Sequence, residues 1–243
     1  MVLLLLFIFW EVSGVLLEIP EWLLPVPTKI LAEVFVGWAN FYPDLLATTK
    51  IALFGFSIGA SFGIIIAVGL HLIPGLREAV YPLLILSQNV PIIVLAPLLV
   101  IWFGFGLLPK IIVITLVCFF PITVAAIDGF RQVPSNLVHY MKMAGATNRQ
   151  LFWKLEWPHA LPAIFSGLKI SATYSVMGAV ISEWLGAEKG IGVYMTLASS
   201  SFRTDRVFVA IASIMLLSLL FFGLIVLAEK YFVHWRDREG DSQ

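Results

Sequence analysis

The feature that most constrains the fold is a series of long apolar stretches without charge. Residues 79–109 carry no charged side chain over 31 positions, and residues 207–228 carry none over 22. A helix needs about 20 apolar residues to cross the hydrocarbon core of a bilayer. Only 12% of the chain is charged, against about 25% in a soluble domain. The sequence therefore predicts an all-α, polytopic membrane protein.

The apolar stretches predict about six transmembrane helices. Three prolines, Pro82, Pro91 and Pro97, predict that the third is kinked. A proline-rich surface segment, 18–44, with a short helix near 30–38, should follow the first, and a polar connection, 186–205, should precede the last. The first stretch lacks the basic start and the cleavage site of a signal peptide, so a span is the better interpretation. The predicted spans are 1–17, 45–72, 79–109, 110–127, 163–184 and 207–228.

The basic residues predict the orientation. An even number of spans puts both termini on one side of the membrane, and nine of the fifteen Lys and Arg residues fall on that side. Because cytoplasmic loops are enriched in Lys and Arg, both termini are expected in the cytoplasm. The nine are Arg77, Arg131, Lys142, Arg149, Lys154, Lys169, Lys230, Arg236 and Arg238.

The longest polar interruption in the second half of the chain is the loop 134–162. Ser135 is a candidate N-cap for a short helix over 136–144, and Gly145 occupies the left-handed position that ends many helices. Thr147 and Gln150, three residues apart, form a capping-box pair that predicts a second helix. Pro158 and Pro162 are then expected to end it. The pattern fits either a compact element at the membrane surface or an ordinary ordered loop between two spans.

Small and polar residues inside the spans are the remaining candidates. Glycines at four-residue spacing predict a face for close helix packing, although a hinge is also possible. Polar residues before Pro91 are costly in a membrane unless they face partners or water. They fit either a lined pathway or gate, together with Glu183, or hydrogen bonds between helices. The packing residues are Gly55, Gly59 and Gly63; the pathway residues are Ser87, Gln88, Asn89, Pro91 and Glu183.

No catalytic or metal-binding pattern occurs in the sequence. The Gly-x-x-x-x-Gly-Lys-[Ser/Thr] phosphate loop is absent, and so are carboxylate pairs within the spans. The four histidines are scattered, and the one cysteine, Cys118, lies in an apolar run. A net charge of zero gives no reason to expect nucleic-acid binding. With so few ionisable residues for a proton relay, a transporter of this composition would need an external energy source.

Four stretches of the chain resemble the motifs of one known family. The permeases of bacterial ABC importers carry a loop with the consensus EAA, three residues, Gly, nine residues, Ile, one residue, Leu-Pro. Counting from Gly145, the Ile falls on Leu155, the Leu-Pro on Trp157-Pro158, and the EAA triplet on His139-Tyr140-Met141, without its glutamate. Further matches are Gly167-Leu168-Lys169, Glu183-Trp184-Leu185-Gly186-Ala187 and Gly190-Ile191-Gly192. The chain resembles type I ABC importer permeases of the nitrate, sulfonate, taurine and thiamine-pyrimidine-precursor branch, most strongly over 43–235.

The resemblance implies a function and partners. It implies a non-catalytic permease subunit in the bacterial inner membrane, paired as a homodimer and in contact with membrane lipid. A separate ABC ATPase subunit would use the ATP, an extracytoplasmic binding protein would deliver the solute, and no cofactor would bind this chain. Residues 1–44 would hold the first helix and an extracytoplasmic segment, 45–230 the core, and 231–243 a cytoplasmic tail. The ATPase-coupling residues would be His139, Tyr140, Met141, Ala144, Gly145, Ala146, Leu155 and Pro158.

The substrate is the least constrained part of this prediction. The Glu183 motif is most similar to permeases for thiamine pyrimidine precursors, which are hydroxymethylpyrimidine-like. Alkanesulfonate, taurine and nitrate permeases share most of the other motifs. An ATP-independent secondary transporter is the alternative class, and a membrane-embedded enzyme or assembly factor is a third, for which the sequence offers no catalytic constellation.

Overall fold

A computed structural model describes residues 2–73 and 75–233 of the chain. Over these residues the chain is helical, and the predicted tail from residue 234 onward lies outside them. The eleven α-helices of this part are α1 Val2–Leu16, α2 Pro27–Val36, α3 Trp38–Leu72, α4 Leu76–Gln88, α5 Ile92–Phe103, α6 Leu107–Arg131, α7 Ser135–Met143, α8 Asn148–Leu151, α9 Trp157–Glu183, α10 Ile191–Ser200 and α11 Thr204–Phe232. A π-helical segment, Phe152–Glu156, joins α8 to α9.

Four helices are long and apolar enough to cross a membrane. They are α3, α6, the continuous helix Asn148–Glu183 and α11, and they correspond to the second, fourth, fifth and sixth predicted spans. Shorter apolar helices, Leu4–Leu16, Ile92–Phe103 and Ile191–Ser200, accompany them. The predicted all-α, multi-pass fold is confirmed. The first predicted span is a helix of 15 residues, which is shorter than the thickness of a bilayer requires.

The third predicted span is two helices rather than one kinked helix. α4 ends at Gln88, and Pro91 is the N-cap of α5 with extended backbone angles. Asn89 helps to end α4, since its side-chain amide donates to the carbonyl of Ile85 at 3.1 Å. Pro82 and Pro97 lie inside their helices. The chain therefore breaks between Gln88 and Pro91, where the side chain of Asn89 bonds the last turn of α4.

The packing of α3, α6 and α9 forms the core. α3 and α6 run in parallel, because Gly55 faces Ile114, Gly59 faces Cys118 and Gly63 faces Ile122. On its other side α6 meets α9 in the antiparallel sense, where Gly129 touches Ala160 and Gly167 touches Pro121. A Cβ on any of these glycines would lie 2.6–3.0 Å from a neighbouring atom. Small residues thus let three backbones approach closely, with α6 buried between two neighbours.

Of the two long connections between the spans, the first contains the predicted short helix with an earlier start, and the second differs from its prediction. The short helix near 30–38 is α2, and it begins at Pro27, a residue suited to the first helical turn. Glu33 of α2 accepts hydrogen bonds from Arg203 at 3.1 Å and from Arg206 at 2.8 Å. The bond from Arg203 to Asp205 raises the pKa of that guanidinium. The prediction of a polar connection over 186–205 was wrong, because residues 191–200 form α10, which buries Ile191 and Ala198.

Candidate functional sites: the α7 loop, a groove at the α4–α5 break, and Glu183

The loop between α6 and α9 contains two helices joined by Gly145. The prediction that Ser135 caps the first was wrong: Pro134 is the N-cap, no side chain caps the turn, and Ser135 is the first helical residue. Pro134 has the extended backbone (φ −61°, ψ 126°) that a residue before a helix adopts. His139 contacts the carbonyl of Ser135 at 2.7 Å, so that ring is held against the first turn of α7.

The end of α7 follows the prediction for Gly145. Its φ is +81°, a left-handed conformation in which a Cβ is unfavourable. The Ala146 N–H donates to the carbonyl of Met141, and the Gly145 N–H donates to that of Lys142, both at 3.0 Å. These two bonds form a Schellman motif and satisfy carbonyls that the helix end leaves free. The turn out of α7 is therefore set by one glycine.

The second helix begins with the predicted capping box. The Gln150 backbone N–H donates to the Thr147 hydroxyl at 3.3 Å, and the Thr147 N–H donates to the Gln150 side chain at 2.9 Å. The expectation that prolines end this helix was wrong. Pro158 lies in the first turn of α9, just after the π-helical segment, and Pro162 lies inside α9. The π-helical segment lies just before Pro158, and the helix continues through both prolines from Asn148 to Glu183.

The surface of α7 is unusually open. The helix buries none of its side chains, and Tyr140 is 69% exposed while Met143 is 82% exposed. Of the predicted coupling residues, those on α7 and its turn are accessible or half-buried, whereas Leu155 and Pro158 are half-buried in the segment that follows. α7 thus presents exposed apolar and polar side chains, among them Tyr140 and Met143, while Val138 and Met141 are half-buried.

The segment after α7 is, by contrast, firmly attached to the spans. Leu151 and Phe152 are buried. The Glu156 carboxylate lies within hydrogen-bond distance of His71 at the end of α3, with 2.8 Å between carboxylate oxygen and ring nitrogen. The His71 ring stacks on Phe130 of α6, with centroids 4.5 Å apart. These contacts were not predicted, since His71 and Glu156 lie far apart in the sequence and only the fold joins them.

A groove of about 310 Å³ lies where α4 gives way to α5. Gln88 and Pro91, two of the predicted pathway residues, line it together with side chains of α6 and α9. Asn89 is exposed and bonds to its own helix, and the Ser87 side chain lies outside the described residues. The residues from α6 and α9 include Leu116, Val117, Phe120, Pro121, Tyr174 and Met177.

Glu183 does not lie in that groove. It is buried at the end of α9, where its two carboxylate oxygens accept hydrogen bonds from the Thr48 hydroxyl at 2.7 Å and the Gly192 N–H at 2.8 Å. The Thr48 oxygen in turn accepts the Ile191 N–H at 2.8 Å. Gly190 passes over the carboxylate, and a Cβ there would lie 2.2 Å from the Glu183 carboxyl carbon. Glu183 and Thr48 therefore fix the first turn of α10 to α3 and α9.

The sequence analysis identified only some of the residues in this arrangement. Glu183, Gly190 and Gly192 stand in the motifs noted above, but Thr48 gave no signal, because one threonine in an apolar span is usually a packing residue. Asp44 also takes part, accepting the Gly190 N–H at 2.9 Å. Among the described residues, no three His, Cys, Asp or Glu side chains are grouped so as to hold a metal ion.

Comparison with known proteins identifies the family. The model of the "binding-protein-dependent transport system inner membrane component" family matches residues 59–232, which is most of the chain. This chain belongs to that family. It is a permease subunit of an ABC importer, and the prediction from its loop and glycine motifs is confirmed.

Three curated relatives are similar to this permease along nearly its whole length. The formylaminopyrimidine transport permease ThiX of Halalkalibacterium halodurans is 35% identical, covering 97% of this chain and 94% of the relative. The riboflavin permease RibX of Chloroflexus aurantiacus is 32% identical over 96% and 88%. The taurine permease TauC of Escherichia coli is 30% identical over 89% and 81%. These identities are close together, although the named substrates differ.

Solved structures support the same fold. An amino acid ABC transporter superposes with a TM-score of 0.65 at 15% identity, covering 81% of this permease and 98% of that chain. The methionine transporter MetNI superposes with a TM-score of 0.57 at 22% identity, over 87% and 97%. At these identities the likeness concerns the arrangement of helices alone.

Proposed function

We propose that this permease imports a pyrimidine precursor of thiamine, using energy from a separate ATPase that docks on α7. The observation that carries the coupling proposal is the contrast between two adjacent segments. α7 buries none of its side chains, while the segment after it is held to α3 and α6 through Glu156, His71 and Phe130. A partner that displaces α7 would therefore also move the ends of two spans.

The coupling mechanism has a simple physical form. The Schellman turn at Gly145 sets the angle between α7 and α8, so α7 moves with the helix that continues into α9. Tyr140, Met141 and Met143 supply an aromatic ring and two adaptable thioethers for a groove on the ATPase. ATP can shift the permease between its states only by as much as the ATPase contacts differ between them. In this proposal the loop and both termini are cytoplasmic, and two copies of the chain form the transporter.

The groove at the α4–α5 break supports the substrate proposal. None of the described residues that line it is charged. Gln88 supplies an amide that both donates and accepts hydrogen bonds, and Phe120 and Tyr174 supply aromatic faces. Such a set suits a flat, neutral aminopyrimidine better than a sulfonate or nitrate anion, which would need positive charge. The 35% identity to ThiX agrees with this choice.

The coupling proposal is tested with Gly145→Val and a matched control, Gly75→Val. Both glycines have a left-handed φ, +81° and +77°, and an added Cβ meets nothing within 4 Å at either. Both substitutions should thus cost about 1–2 kcal/mol of backbone strain, but only Gly145 sets the α7 turn. Pull-down from mild detergent should recover a phosphate-loop ATPase with wild type and Gly75→Val, and much less with Gly145→Val.

Two results would contradict the proposal. Normal ATPase recovery and uptake by Gly145→Val would show that the α7 turn is not the coupling element. Substrate flux by the chain alone in ATPase-free liposomes would favour a secondary transporter. The substrate is tested separately by uptake of labelled formylaminopyrimidine, with unlabelled hydroxymethylpyrimidine, taurine or riboflavin as competitor. Absence of uptake of the labelled pyrimidine would contradict the pyrimidine assignment, and competition by hydroxymethylpyrimidine alone would support it.

A further inference from the structure

A second groove, of about 490 Å³, lies between α3 and α6 at the ends of these helices away from the α7 loop. Its lining holds two lysines, Lys50 and Lys110, and is otherwise apolar. The apolar residues are Ala47, Ile51, Phe54 and Leu107.

The helix packing places the two lysines at the same depth. α3 and α6 run in parallel, and Gly55 meets Ile114. Lys50 lies five residues before Gly55, and Lys110 lies four residues before Ile114. The two lysines are therefore at about the same height along the parallel helices. Lys50 lies six residues after Asp44, which corresponds to about 9 Å along the helix axis.

Neither lysine has a carboxylate at ion-pair distance within the described part of the chain. No ion pair within 4.0 Å joins Lys50 or Lys110 to a described carboxylate. The two acids at this end of the molecule accept hydrogen bonds from other groups, Glu183 from Thr48 and Gly192 and Asp44 from Gly190, and Glu183 interacts with Lys110 only at longer range. Two neighbouring cations repel each other, and positive charge within an apolar membrane surface is costly without a counter-ion. The groove therefore favours an anion.

The surroundings indicate which kind of anion. Phe54 is 55% exposed and Leu107 is 60% exposed, so the groove opens onto the apolar outer surface of two spans. A small soluble anion would leave those side chains uncovered, whereas a molecule with a phosphate and an acyl chain would engage the lysines and the apolar wall together.

We propose that Lys50 and Lys110 form a binding site for the headgroup of an anionic phospholipid, with an acyl chain lying against Phe54 and Leu107. The site is distinct from the groove at the α4–α5 break, which has no charged lining residue. It does not depend on the proposed substrate or on the α7 docking surface. Its occupancy would hold α3 against α6 at the end where Thr48 and Glu183 anchor α10.

Native mass spectrometry of the full-length permease tests this proposal. Delipidated protein is titrated with phosphatidylglycerol or phosphatidylcholine, for wild type, Lys50→Gln, Lys110→Gln and the double variant. Each lysine is expected to contribute about fivefold to the binding of phosphatidylglycerol, as one basic residue at a membrane surface does. Lys189→Gln is the matched control, because Lys189 is exposed and lies outside the groove lining; it should bind like wild type.

The outcomes separate the possible occupants. A preference of wild type for phosphatidylglycerol over phosphatidylcholine that is lost in the double variant supports the site. Equal binding of both lipids by wild type overturns it, and this comparison needs no variant to fold. Displacement of the lipid by millimolar inorganic phosphate would instead indicate a soluble-anion site. Loss of dimer with unchanged lipid binding in the double variant would assign the groove to a second copy of the chain.

Discussion

The close contact between α3 and α6 gives a prediction with a worked magnitude at Gly59. A Cβ at this position would lie 2.8 Å from the Cβ of Cys118 and 3.0 Å from the carbonyl oxygen of Thr115. Carbon atoms attract at about 3.5–4.0 Å, so Gly59→Ala must push the helices apart by roughly 1 Å. Cys118 is fully buried and the carbonyl is backbone, so neither can rotate away. Overpacking of this kind costs about 1–3 kcal/mol.

The matched control for this prediction is Gly69→Ala in the same helix. A Cβ there meets nothing within 4 Å, so this variant gains only the helical preference of alanine, up to about 1 kcal/mol. The thermal unfolding midpoint of the purified permease in detergent should fall for Gly59→Ala and stay level or rise for Gly69→Ala. Equal midpoints would refute the reasoning, because the two substitutions differ only in the contact with α6.

Two further predictions concern buried polar contacts. Thr48→Val leaves one oxygen of Glu183 and the Ile191 N–H without their partner, and should lower the free energy of unfolding by about 3 kcal/mol; Thr49→Val, whose hydroxyl bonds only the Leu45 carbonyl of its own helix, should change the midpoint little, and equal losses would contradict the role of Thr48. Lys169 and Glu229 form a half-buried ion pair at 2.9 Å between α9 and α11. Lys169→Met should therefore destabilise by about 2 kcal/mol, and adding Glu229→Leu should recover most of the loss in the same unfolding assay, since an apolar pair can replace an ionic one. No recovery in the double variant would show that the loss comes from packing rather than from the unpaired carboxylate.

Local features were predictable because neighbouring residues decide them. The turn at Gly145 depends on one left-handed glycine and on carbonyls within the preceding helical turn, and the Thr147–Gln150 box depends on two side chains three residues apart. The uncharged stretches likewise fix the long spans, since any chain must hide them from water. At the start of α7 the sequence was not sufficient, because the N-cap is Pro134 and not the predicted Ser135.

The sequence by itself determined that this is a helical membrane permease with an ordered loop between two spans. Only the tertiary structure decided what that loop and the charged residues contact. His71 and Glu156 meet because α3 and the π-helical segment end at the same level. Glu183, a predicted pathway residue, also anchors α10 because Thr48 lies opposite it. Lys50 and Lys110 share one groove because glycines bring α3 and α6 together in parallel. These pairs lie from about sixty to more than a hundred residues apart in the chain, so no local pattern encodes them; helix packing brings them together.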